Sequence, residues 1–259
     1  MELEIDTTKP SVARIYDYWL GGKDNFEVDR LAAEQLLKLV PDAVEMCREN
    51  RDFLRRTVTL LAGAGIRQFL DIGSGLPTQD NVHEVALRAA PDAVTVYVDN
   101  DPIVLVHGRA LLAAGGNAHV IGADLREPGD IFAQAAEHLD LDRPVAVLLL
   151  SIAHFVTDDA ELARVMDEIR ARLASGSYIV MSHASAGETT SDATVAAAQE
   201  VYARSAPGGI TPRTRPQLAA LFDGLELLEP ELVPVRSWRT GLRPDYSKPN
   251  VIGIVARVP

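Results

Sequence analysis

Three aspartates close three apolar runs: Asp71 in "QFLDIGSG", Asp99 in "VTVYVDNDP" and Asp124 in "HVIGADLREP". In an open α/β sheet, ligands bind outside the carboxyl ends of the strands, so a carboxylate in that position stands where a ligand arrives. Gly73 and Gly75 follow the first run and let the backbone come close to it. Ionised carboxylates only accept hydrogen bonds, which suits a ligand carrying hydroxyl, amino and ammonium groups. For the nucleoside ligand with an amino-acid tail to which the glycines point, Asp71 would reach the ammonium group. Asp99, 24 residues after Gly75, accepts two ribose hydroxyls with Asn100 beside it. Asp124 meets an adenine amino group, and the Leu125 amide is left for a ring nitrogen. Asp101, before Pro102, reads instead as a helix cap.

The glycines narrow the ligand. A dinucleotide fingerprint G-x-G-x-x-G would need glycine where Thr78 stands, which counts against NAD, and no lysine follows to make a phosphate-cradling loop. The remaining common ligand with an acid ahead of the glycines is S-adenosylmethionine. Pro77 stiffens the exit from the turn.

Other groups are candidates for the reacting end. "RIYDYWLGGKDN" has a glycine pair that permits a sharp turn, with Tyr16, Lys23 and Asn25 as candidates to face cofactor or substrate and Trp19 and Leu20 as packing residues. Arg14, Lys23 or Arg51 could hold a carboxylate, Arg51 first, because its apolar seam points it inward. In "VLLLSIAHFV" the fourth run ends on Ser151 and His154. His154 is the candidate general base, its plain alternative being a histidine that only bonds a loop. His83 and His183 are weaker candidates, and a carboxylate acceptor would need no base. No metal site is expected, since the acidic neighbours lack companions at ligand spacing.

The elements that must position these groups are legible as two regimes. "FEVDRLAAEQLLKLV" and "DAVEMCRENRDFLRRTVTLLAGAG" carry apolar stripes at helical spacing, ended by Pro41 and by Gly63 with Gly65. From Ile66 the short runs "IRQFLDI", "AVTVYVD", "AHVIGAD", "PVAVLLLSI" and "SYIVMSH" alternate with amphipathic helices, the sign of a parallel sheet covered on both faces. "SAPGGITPRTRPQ" is a loop, "LELLEPELVPV" is strand-like, and "NVIGIVARV" is a last strand. The expectation is a doubly wound α/β fold: residues 1–64 a helical lid, residues 65–259 the ligand-binding domain, packed as one unit.

Composition limits the partners. With 37 acidic against 25 basic residues the formal charge is −12, which repels phosphate backbones and anionic membranes. The lone Cys47 excludes an intramolecular disulfide. With neither a signal-like apolar stretch nor a membrane-length run, the expected location is the cytoplasm.

"PSVARIYDYWLGGKDNFEVDR", "NRDFLRR", "FLDIGSGLPTQDNVHEVA", "YVDNDPIVLVHGRALL", "ADLREP" and "LLLSIAHFV" together resemble an actinobacterial family of S-adenosylmethionine-dependent methyltransferases, long catalogued as a domain of unknown function. The resemblance covers essentially the whole chain. It implies a class I Rossmann-like fold, a seven-stranded sheet with an antiparallel last strand, and bound S-adenosylmethionine or S-adenosylhomocysteine. It implies no particular acceptor. Trp19 departs from the commoner aliphatic residue and would reshape a pocket wall. The expected function is methyl transfer to a small molecule. The alternatives are a non-catalytic S-adenosylmethionine-binding regulator and, disfavoured by Thr78, an NAD-dependent oxidoreductase.

Overall fold

The computed structural model describes residues 5–77, 80–112, 116–206 and 209–259; Thr78 lies outside them. Helices α1 (Val12–Trp19), α2 (Glu27–Leu39) and α3 (Ala43–Gly63) come first. Then β1 (Gln68–Ile72), α4 (Val82–Ala89), β2 (Val94–Asp99), α5 (Pro102–Leu112), β3 (Ala118–Gly122), α6 (Pro128–Ala135), β4 (Ala146–Leu150), a 3-10 turn (Ala153–Phe155), α7 (Asp159–Arg170) and β5 (Tyr178–Ser185) follow. Helices α8 (Asp192–Tyr202) and α9 (Arg215–Ala220) lead to β6 (Glu226–Leu227), β7 (Val233–Pro234) and β8 (Asn250–Arg257).

The sheet order is β3-β2-β1-β4-β5-β8-β6, with β7 also on β8. Strands β1 to β5 are parallel. β8 runs antiparallel to β5 from Tyr178↔Arg257 to Ser185↔Asn250. The implied seventh strand is divided. Glu226 and Leu227 pair with Arg257 and Ala256, while Val233 and Pro234 pair with Gly253 and Ile252. The stretch between them contains Pro230, which has no N–H for a ladder, so the strand-like "LELLEPELVPV" pairs only at its ends.

Period-2 alternation sorts the strand residues between two cores. Leu70, Ile72, Val96, Val98, Val147 and Leu149 face α6, α7 and α9. Phe69, Tyr97, Ala146 and Leu148 face α3 and α4, where Phe53, Leu54, Val58 and Leu61 close the layer. Asp71 shares the parity of Phe69, so its side chain emerges on the α3 side.

A third cluster lies apart from the sheet. Ile15 and Trp19 of α1 pack with Ala32, Ala33 and Leu36 of α2, Ala43 and Cys47 of α3, and Val201 of α8. The first turns of α3 belong to this helical layer and its later turns to the sheet. Helix α8, which "SDATVAAAQEVY" does not announce by any apolar stripe, is capped by the Ser191 side chain accepting from the Thr194 amide.

Candidate functional site

At the carboxyl ends of β1 to β4, where the strand order reverses between β1 and β4, a cavity of about 240 Å³ opens under α1. Asp71, Gly73, Gly75, Asp99, Asn100, Asp124, Leu125 and Ser151 all line it, and so do Tyr16 and Arg51 from the helices. The glycine turn has separate reasons for its two glycines. A Cβ on Gly73, at φ +75°, would lie 2.4 Å from the Ile152 side chain. Gly73 is therefore what lets the β4 exit close against β1. At Gly75, φ +66°, a Cβ would meet nothing within 4 Å, so the left-handed backbone itself calls for glycine there.

The acids are held in place by local bonds. Asp99 accepts from the Gly75 amide at 2.9 Å and from the Asp101 amide at 2.9 Å. Two bonds leave its carboxylate spare lone pairs. Burial raises its pKa to about 6. Asp124 accepts from Asn100 Nδ2 at 3.0 Å and from the Arg126 amide at 2.9 Å, which ties the ends of β2 and β3 together. The buried Leu125 amide has no protein partner among the described residues. Asp71 is buried, and desolvation lifts its pKa to about 7 against the pull of the nearby Arg51 guanidinium. Arg51 in turn donates to the Asp80 carbonyl at 2.9 Å. Ser151 adopts the left-handed conformation at φ 55°, its amide donating to the Ser182 carbonyl at 3.0 Å and to Ser182 Oγ at 2.9 Å. Asp101 accepts from the Ile103 amide at 3.0 Å and caps α5.

Several groups fall elsewhere. Arg14 is buried in an ion pair with Asp29 at 2.8 Å that locks α1 to α2, so it is not available to a ligand carboxylate. Lys23 is exposed and lines no described cavity. Asn25 donates to Asp17 at 2.8 Å, and the Asp24 amide donates to the same oxygen at 3.0 Å. Asp17 thus organises the turn after α1, and Gly22 is there because a Cβ would fall 1.9 Å from Asp17 Oδ1. His83 Nδ1 lies 2.7 Å from the Tyr97 hydroxyl, outside the cavity. His183 accepts from Arg213 at 3.2 Å and donates to the Ala184 carbonyl at 2.9 Å. Burial carries its pKa down to about 4, leaving it a neutral structural group.

His154 Nδ1 accepts from the Ala184 amide at 3.3 Å, so in the neutral ring the proton sits on Nε2. Burial, with His183 and Arg213 nearby, holds its pKa well below the ordinary imidazole range. In this arrangement its accepting nitrogen is turned to the backbone, which is the loop-bonding alternative of the sequence.

His154 lines a second cavity, of about 140 Å³, that adjoins the first; Val12, Tyr16, Ser151 and Phe155 belong to both walls. The sequence reading missed this chamber and also Asn50. Asn50 donates to the Tyr16 hydroxyl at 3.1 Å, which donates to the Cys47 carbonyl at 3.1 Å. Asn50 lines the first cavity, and its Oδ1 is fully buried with no partner among the described residues. Its position in "NRDFLRR", one turn before Leu54 and beside Arg51, was the available signal. Among the described residues no cluster could hold a metal ion, and no helix is long and apolar enough to cross a membrane.

A family model described as S-adenosyl methyltransferase matches residues 1–259. The chain belongs to that family. A candidate methyltransferase from Thermobifida fusca of known structure is 41% identical over 98% of this chain and 96% of its own, with a TM-score of 0.89. A DUF574 family protein from Streptomyces avermitilis is 39% identical over 99% of this chain and 100% of its own, also at TM-score 0.89. An O-methyltransferase family protein from Burkholderia thailandensis, 16% identical over 85% of this chain and 61% of its own, shares the fold at TM-score 0.54. No curated protein matches. The fold is the class I methyltransferase Rossmann-like arrangement, and the cofactor of this S-adenosyl methyltransferase is S-adenosylmethionine. Its residues fit such a group. The first cavity brings together the carboxylates of Asp71, Asp99 and Asp124 with the polar residues Asn50, Asn100 and Ser151, as a ligand bearing several donors requires.

Proposed function

We propose that the chain transfers the methyl group of S-adenosylmethionine to a small molecule seated in the second cavity, and that the first cavity holds the cofactor. The observation that carries this reading is the line of acceptors at three neighbouring strand ends, in one cavity that shares a wall with a second, apolar one. Asp99 accepts the ribose hydroxyls with the lone pairs that Gly75 and Asp101 leave free. Asp124 and the Leu125 amide take the adenine edge. Asp71 accepts from the ammonium group, and Arg51, whose charge acts on Asp71, holds the carboxylate.

When bound, S-adenosylmethionine supplies a methyl carbon already activated by its sulfonium. What remains for the chain is placement and exclusion of water. Tyr16, Ser151 and Phe155 form the partition between the cavities, and the fixed backbone of Ser151 sets how near the two occupants come. The helical layer of α1, α2, α8 and the start of α3 acts as a lid over both. No side chain is assigned to remove a proton.

Calorimetry with S-adenosylhomocysteine and NAD tests the cofactor site. The native chain is expected to bind the first and not the second, and Asp99→Ala to weaken binding by about 1–3 kcal/mol through lost hydroxyl bonds. Unchanged affinity in that variant would remove the ribose assignment.

A further inference from the structure

The second cavity carries information about the acceptor that the cofactor site does not. Its described lining contains no Asp, Glu, Lys or Arg. The groups in it that could ionise are all held neutral. Burial raises the pKa of Tyr16, Cys47 and Tyr202 above their ordinary values and lowers that of His154. A charged occupant would be desolvated without a counter-ion, a cost that an apolar wall does not offset. The volume is that of a small molecule: about 140 Å³ here, against roughly 150 Å³ for an apolar cavity that takes up benzene. The polarity that remains in the lining comes from uncharged groups, among them the hydroxyls of Ser151, Ser185, Thr190 and Thr194.

We propose that the second cavity is the acceptor site and that it takes an uncharged, single-ring molecule. This rests on the cofactor reading above for the identity of the neighbouring cavity. It excludes carboxylate acceptors, which the sequence alone left open.

The test uses four probes that share a ring and differ in charge and polarity: p-cresol, toluene, p-toluate and 4-methylbenzylammonium. Each is titrated into the full chain saturated with S-adenosylhomocysteine, following backbone amide shifts. Both neutral probes are expected to bind, with each ion weaker than toluene by about tenfold or more. The shifts should fall on Ala184, Thr194 and Ala198, which line only the second cavity. Ala198→Phe and Thr194→Phe fill the chamber from α8 and should abolish probe binding while S-adenosylhomocysteine affinity persists, which also reports that each variant is folded. Equal binding of p-toluate and toluene, or no neutral probe at those amides in a chain that binds S-adenosylhomocysteine, would overturn the proposal and leave the cofactor reading standing. Failure of the native chain to bind S-adenosylhomocysteine would overturn that reading and the acceptor role with it.

Discussion

Asp71 is costly to the free protein. Burial holds its carboxyl at about 7 in the folded chain, above its ordinary value of 3.8. The folded state therefore binds more protons than the unfolded state between those limits, and stability declines as pH rises through them. Asp71→Asn removes this liability. The variant is expected to melt higher than the native chain at pH 8, each kcal/mol recovered being worth about 2–4 °C, and to lose that advantage below pH 4. The same ionisation governs binding. An ammonium group needs the carboxylate, so affinity for S-adenosylhomocysteine should fall by up to about tenfold per pH unit below 7. In Asp71→Asn the slope between pH 7 and about 6 should disappear, leaving only that of Asp99 below about 6, and affinity should be low throughout. Thermal melts and calorimetry across pH 5 to 8 check both signs. A native affinity that is flat in pH would separate Asp71 from the ammonium. A residue kept at the expense of stability is what a ligand site produces.

At the scale of elements, the turn between α1 and α2 decides whether the helical layer sits over the cavities. Asp17 is buried and gathers the Asp24 amide and the Asn25 amide group, and it leaves no room for a side chain at Gly22. Gly22→Ala is expected to cost about 1–3 kcal/mol by overpacking and to weaken S-adenosylhomocysteine binding, because Tyr16 and Asp17 of α1 line the first cavity. Gly63→Ala, where a Cβ meets nothing within 4 Å, is the control and should change neither. Melting temperature and calorimetry on the two variants test this. Equal behaviour would mean that the α1 turn does not position the site. Ser11 adds a second tie, donating to Asp101 at 2.6 Å between the start of α1 and the loop after β2. Helix α8 completes the layer, and its sequence hid it: Val201 is its one buried residue and its alanines fall on every face. Without a stripe, only the cap from Ser191 to Thr194 could have announced it.

For the molecule as a whole, the legible part was the part that local pattern dictates. Parallel strands buried on both faces appear as apolar runs, and a polar residue at the end of such a run marks the ligand face, so Asp71, Asp99, Asp124 and Ser151 could be placed from sequence and line one cavity. Residues whose partners lie far along the chain could not. Arg14 looked available until Asp29, 15 residues on, took it. Asn50 became visible only through Tyr16, 34 residues away. His154 was correctly seen at the end of β4, but its proton is fixed by an amide of β5 that no spacing rule connects to it. The second chamber is assembled from both ends of the chain, from Ile15 of α1 to Val251 of β8. A cavity that no single segment encodes leaves no mark in any single segment.

The most direct measurement is a crystal structure of the chain grown with S-adenosylhomocysteine. The account predicts the ribose hydroxyls on Asp99, the adenine edge at Asp124 and the Leu125 amide, the ammonium group at Asp71, and the sulfur at the partition of Tyr16, Ser151 and Phe155, facing the apolar chamber. A ligand seated away from Asp99, or one whose sulfur points away from that chamber, would contradict it.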